Sequence, residues 1–134
     1  MAFLTPLDLR AFKSGEWVVL LAVVFLSADS VRYTVPRGFI TDLASIPFFL
    51  RGMFNVNGLS REPAVLHDWL YCCQYTTRAE ADALFLEALE DCGVGWVTRH
   101  AMYAAVRSAG WLYWGDRDDG LDEGDFVKAD YFDA

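Results

Sequence analysis

The sequence predicts an α+β domain: an N-terminal antiparallel β-hairpin or small sheet followed by a three-helix segment. Three observations carry that expectation. β-branched residues crowd the stretch 17–35, where Val18, Val19, Val23, Val24, Val31 and Val35 surround the turn-forming Ala28-Asp29-Ser30. After Pro63 the apolar residues switch to helical spacing, and helix punctuation follows as Thr77-Arg78-Ala79-Glu80 and Gly93. The 134 residues, 54% hydrophobic and 16% aromatic, can bury enough apolar surface for one core.

The first strand spans Trp17 to Leu26; it lacks alternation, so it is read as covered on both faces, with a short buried helix as the competing reading. The second runs from Val31 to Val35 and ends at Pro36-Arg37-Gly38, where proline removes a ladder donor and the chain leaves the sheet. Phe39 to Glu62 reads as a long irregular loop, a length that in a small domain suggests function.

Leu66, Trp69, Leu70 and Cys73 then mark a first helix over Pro63–Gln74. Thr77 and Glu80 form a capping box, in which each side chain satisfies a backbone donor, and open a second helix that runs to about Cys92. A third covers Trp96 to about Ala109 and reaches toward Trp114, with Gly110 weakening its later part by roughly 1 kcal/mol relative to alanine. Residues 1–115 are thus one globular domain. Residues 116–134 hold eight acidic and two basic side chains and read as an acidic C-terminal tail, solvated or pinned by Phe126, Tyr131 and Phe132 against a neighbour. An EF-hand placed on Gly120 fails, because Phe126 would stand where a bidentate carboxylate is needed.

Composition excludes several classes. A net charge of -8 argues against a nucleic-acid surface, which needs many Lys and Arg contacts. The longest apolar run, Trp17 to Leu26, is far short of the roughly 20 residues of a transmembrane span. Met1–Arg10 carries no basic region followed by an apolar segment, so no secretory signal is expected. Cys72, Cys73 and Cys92 read as reduced core thiols, and neither His67 nor His100 completes a zinc pattern.

The residues that could carry chemistry are His67, Asp68, Tyr71 and Asp82. Only Tyr75 and Thr76 separate the first two helices, which makes them antiparallel neighbours. At 1.5 Å per residue, His67 lies about 10 Å back from the turn and Asp82 about 7 Å along the return helix, so the two come to similar height. Asp82 falls on the apolar stripe with Phe85, Leu86 and Leu89, where an ionised carboxylate needs a partner. His67 is the nearest candidate, and Tyr71 shares its face four residues on. An aspartate that orients an imidazole prepares a general base, and Asp68 beside it could hold a divalent cation. The alternative is a buried His67–Asp82 pair that only locks the helical hairpin.

His67-Asp68-Trp69-Leu70-Tyr71 followed by Ala81-Asp82 resembles the H-D-x-x-Y and later A-D elements of phospholipase A2 domains. That resemblance implies a His67–Asp82 catalytic dyad and calcium on Asp68. A longer set is similar to a family of uncharacterised proteins from tailed bacteriophages and prophages. It comprises Val35-Pro36-Arg37-Gly38-Phe39-Ile40-Thr41-Asp42-Leu43-Ala44-Ser45-Ile46-Pro47, Ala64-Val65-Leu66-His67-Asp68-Trp69-Leu70-Tyr71, Arg78 with Ala81-Asp82, and Met102 to Arg107. It implies a viral setting, in the virion or the host cytoplasm, and adds Asp42 to the cluster. Asp42 would then be a further ligand of calcium or magnesium, its alternative role being a turn or cap. A Ser45-His67-Asp82 triad lacks the G-x-S-x-G turn.

His100 reads as a surface or packing residue. Trp96, Tyr103, Trp111, Tyr113 and Trp114 form either a contact surface or a cover for the sheet. The functional expectation is a phage-encoded protein with a His/Asp site like that of a divalent-metal-dependent hydrolase. Its rival is a non-catalytic virion or tail component, meeting phage structural proteins or its own copies through the aromatic patch and acidic tail.

Overall fold

A computed structural model of the chain describes residues 2–41, 61–115, 121, 123–128 and 130–133. Among the described residues six short strands precede the helices: β1 (Ala2–Phe3), β2 (Leu9–Ala11), β3 (Trp17–Val19), β4 (Val23–Leu26), β5 (Arg32–Val35) and β6 (Ile40–Thr41). They form two antiparallel sheets, ordered β1-β4-β5 and β2-β3-β6. The helices are α1 (Arg61–Cys73), α2 (Arg78–Asp91), α3 (Trp96–Ala109) and the short α4 (Trp111–Gly115). The α+β expectation therefore holds, with four corrections.

The single strand expected over Trp17–Leu26 is two, because the chain steps from one sheet to the other at Leu20–Ala22. Leu21 is exposed at this step, and burial on both sides of it keeps the apolar run continuous. The hairpin itself is β4–β5, paired Val23↔Val35 to Leu26↔Arg32. Its turn is tied by Ser27, whose N–H donates to Val31 O at 2.9 Å and whose Oγ accepts from Val31 N–H at 3.2 Å.

The chain leaves the hairpin's sheet at Pro36, as expected, but it enters the other sheet at once: Gly38, with φ +94°, turns it so that β6 pairs with β3 through Trp17↔Thr41 and Val18↔Ile40. The expected loop thus begins as a strand, and its residues 42–60, including Asp42 and Ser45, lie outside the described residues.

The capping box is half formed. Thr77 Oγ1 accepts from Glu80 N–H at 3.1 Å, but the threonine hydroxyl donates to Glu80 Oε1 at 2.9 Å. At the far end Gly93 takes φ +85°, with its N–H on Glu90 O and Val94 N–H on Leu89 O.

Gly110 is required rather than merely tolerated. A Cβ there would run into the Tyr71 hydroxyl and the Val106 carbonyl; the third helix ends at Ala109 with Gly110 as its C-cap, and α4 follows.

The main core lies where α1 packs under both sheets, joining Val19, Val23, Phe25, Val35 and Phe39 to Val65, Leu66, Trp69, Leu70 and Cys72. A second cluster, Phe85, Leu89, Val94, Met102 and Val106, fills the space between α2 and α3. The described C-terminal residues lie on the sheets. Phe126 bridges Phe39 and packs against Trp69, Val127 N–H donates to Gly38 O at 3.0 Å, and the Arg37 guanidinium sits 3.7 Å from the Phe132 ring centroid. The neighbour these aromatics find is this chain's own sheet. Among the described residues no helix is long and apolar enough to cross a membrane.

Candidate functional site

Where α1, α2 and α3 meet, one carboxylate collects the polar side chains. Asp82 is fully buried on α2 beside Ala81 and Phe85, as its place on the apolar stripe requires. His67 and Tyr71, one turn apart on α1, both reach Oδ1: His67 Nε2 lies 2.7 Å away and the Tyr71 hydroxyl donates at 2.6 Å. The other oxygen, Oδ2, takes Arg107 Nη1 from the end of α3 at 2.8 Å and Arg78 Nη1 from the first turn of α2 at 3.4 Å. Arg78 Nη1 also donates to Val106 O and Arg107 O, closing the last carbonyls of α3. Gly110 allows this approach, since the same absent Cβ would crowd the Arg78 guanidinium.

These contacts decide protonation. Burial pushes the Asp82 carboxyl up, but hydrogen bonds from His67 and Tyr71, the charge of His67 and the Arg107 bond outweigh it and hold the group below the usual aspartate value. Tyr71 is driven the other way, by burial first and then by Asp82, so it stays a hydroxyl donor. Because ionised Asp82 only accepts, His67 Nε2 must carry the proton of that bond. In the neutral imidazole the lone pair is therefore on Nδ1, to which no described residue donates. The ring is fixed between Tyr71 and Phe85, with centroids 4.3 and 4.6 Å away, and 13% of the side chain is exposed.

Asp68 takes no part in this cluster. Its Oδ2 accepts from the Thr41 hydroxyl at 2.7 Å and its Oδ1 lies 3.8 Å from Cys72 Sγ, which ties α1 to the end of β6. Among the described residues no three His, Cys, Asp or Glu side chains could hold a metal ion together. The described residues thus supply no cation cage around Asp68, and the expected partner Asp42 falls outside them.

The structure brings together His67, Asp82 and Tyr71. Arg107 and Arg78 were not singled out for the site by their chemistry, though both stand in the motifs quoted above; Arg78 precedes Asp82 by one helical turn, the one local signal available. Arg107 gives none, because it arrives through the packing of α3. His100 bonds the Trp96 carbonyl through Nδ1 at 2.8 Å and stacks on that ring, a local surface arrangement. The expected aromatic group divides: Trp96 and Trp111 are exposed, whereas Trp114 packs edge-on against Tyr71. Cys72, Cys73 and Cys92 are free thiols, and burial, with Glu62 and Asp91 nearby, pushes Cys92 up to about 11.

The model of a family described as a protein of unknown function, DUF1353, matches residues 17–106, which include both sheets' central strands, α1, Asp82 and all of α3 to Val106. No curated protein and no solved structure matches the chain.

Proposed function

The chain belongs to the DUF1353 family, and we propose that in it His67 is the general base of a hydrolytic site, oriented by Asp82. One observation carries the reading: an imidazole held through Nε2 at 2.7 Å by a buried, ionised carboxylate, with its Nδ1 lone pair unclaimed by any described residue. Nδ1 would take a proton from water as the water oxygen attacks an ester carbonyl. The carbonyl carbon gains that C–O bond and loses the one to the alcohol, and the imidazolium returns its proton to the departing alkoxide. Tyr71 then acts as a positioning residue, since its hydroxyl is spent on Asp82. Calcium or magnesium at Asp68 and Asp42, and a phage origin, rest on the sequence resemblances, and the reaction sketched here assigns the cation no step.

Hydrolysis of a panel of chromogenic esters checks the reading. His67→Gln can place an amide N–H where Nε2 donates to Asp82 but cannot accept the proton, and it should lower turnover by roughly 10²–10⁴-fold without unfolding. Wild-type and variant rates that agree, or no turnover of any ester, would overturn it. For the cation, the thermal midpoint should rise with calcium or magnesium in the wild type and stay unmoved in Asp68→Ala.

A second reading, a virion or tail component in which the cluster is structural, is favoured by a separate observation: the donors to Asp82 come from three different helices and include two arginines. Mass spectrometry of purified particles would then find the chain at a fixed symmetric copy number. Its absence from particles would remove this reading.

A further inference from the structure

We infer that Arg107 is an anion subsite of the His67 centre and takes an oxyanion of the substrate, a phosphate or a carboxylate carried beside the scissile ester. The inference rests on the reading of His67 as the reacting group.

Charge balance at the cluster is the first support. Two guanidinium cations face one carboxylate, and among the described residues neither has another acidic partner. The α3 carbonyls on Arg78 offset part of its charge, but a helix C-terminus contributes about half a unit at most. A positive charge is therefore left over in a chain whose net charge is -8.

Use of donors is the second. Arg78 spends Nη1 on Asp82 and on two backbone carbonyls, which fixes it as a structural clasp. Among the described residues Arg107 makes one hydrogen bond, through Nη1, and its side chain is 34% exposed. Its Nε and Nη2 hydrogens have no described acceptor, and that pair is the edge of a guanidinium that binds an oxyanion in bidentate fashion.

Position is the third. Arg107 and His67 contact the two oxygens of the same carboxylate, so both belong to one hydrogen-bonded cluster and the guanidinium is held by the group that orients the imidazole.

Inorganic phosphate and acetate are the probes, titrated separately at constant ionic strength against the full chain. Either should raise the thermal midpoint saturably and move the Arg107 Nε–H resonance, and the tighter of the two names the substrate's anionic group. Arg107→Gln should bind roughly tenfold more weakly or worse, the worth of one charge-assisted hydrogen bond, and Arg107→Lys should recover part of that loss. An equal response in wild type and Arg107→Gln, or no response to either anion, overturns the inference. Should Arg107→Gln fail to fold, the wild-type Arg107 resonance decides alone: unmoved by both anions, it overturns the proposal. Binding is read without turnover, so loss of the subsite and loss of the His67 chemistry are separate results.

Discussion

The junction of the helices and the strap across the sheets are both places where distant stretches of chain are fastened, and they are built from opposite chemistry. At the junction a single buried carboxylate gathers His67, Tyr71, Arg78 and Arg107 from three helices. On the sheets, Phe126 and Phe132 hold residues near the C-terminus by ring contacts, an Arg37 stack and one backbone bridge. The first fastening depends on one proton and on every donor being present. The second is a sum of small, non-directional contacts that degrade gradually. Strongly coupled polar atoms fix orientation, which suits a reacting imidazole, whereas apolar contacts fix only proximity.

Removing the carboxylate should produce the largest effect. Asp82→Ala leaves two partly buried arginines facing an apolar gap and is expected to cost about 3–5 kcal/mol in urea denaturation. The acid branch of the same prediction follows from Asp82 being held below its usual value. Its stabilisation is fully present above the ordinary aspartate range near about 4 and is lost as pH falls through the depressed folded value. Protection of α1–α3 amides from exchange should therefore fall on acidification before that of the Phe39–Val127 region. Simultaneous loss would break the comparison.

Phe126→Ala removes the ring shared by Phe39 and Trp69. Because Phe126 is only partly buried, the cost should lie below that of a full core deletion, about 2–3 kcal/mol by thermal unfolding. A cost above that of Asp82→Ala would reverse the ranking of the two fastenings. Gly110→Ala, which forces a methyl against the Tyr71 hydroxyl, should cost about 1–3 kcal/mol, and the same melt should show it despite alanine's better helix propensity.

Much of this was legible in the residues, for particular reasons. Thr77 and Gly93 act through backbone groups a few positions away, so they mark the ends of α2 in any context. The meeting of His67 and Asp82 follows from a short turn and helical periodicity, both local rules. Tyr71 came with them, one turn along α1. The split of Trp17–Leu26 between two sheets was hidden, because a run that is apolar throughout reads the same whether it is one strand or two. Gly110 was misjudged because propensity prices the helix and not the hydroxyl that presses on it.

The sequence by itself determined the α+β order, the ends of α2 and the imidazole–carboxylate pair, since each depends on patterns and spacings that are local along the chain. Tertiary structure alone decided what surrounds that pair: Arg107 from α3, the tie between Asp68 and Thr41, and the return of Phe126 to Phe39. Those contacts join positions far apart along the chain, and only packing, which weighs shape and charge over the whole molecule at once, selects them.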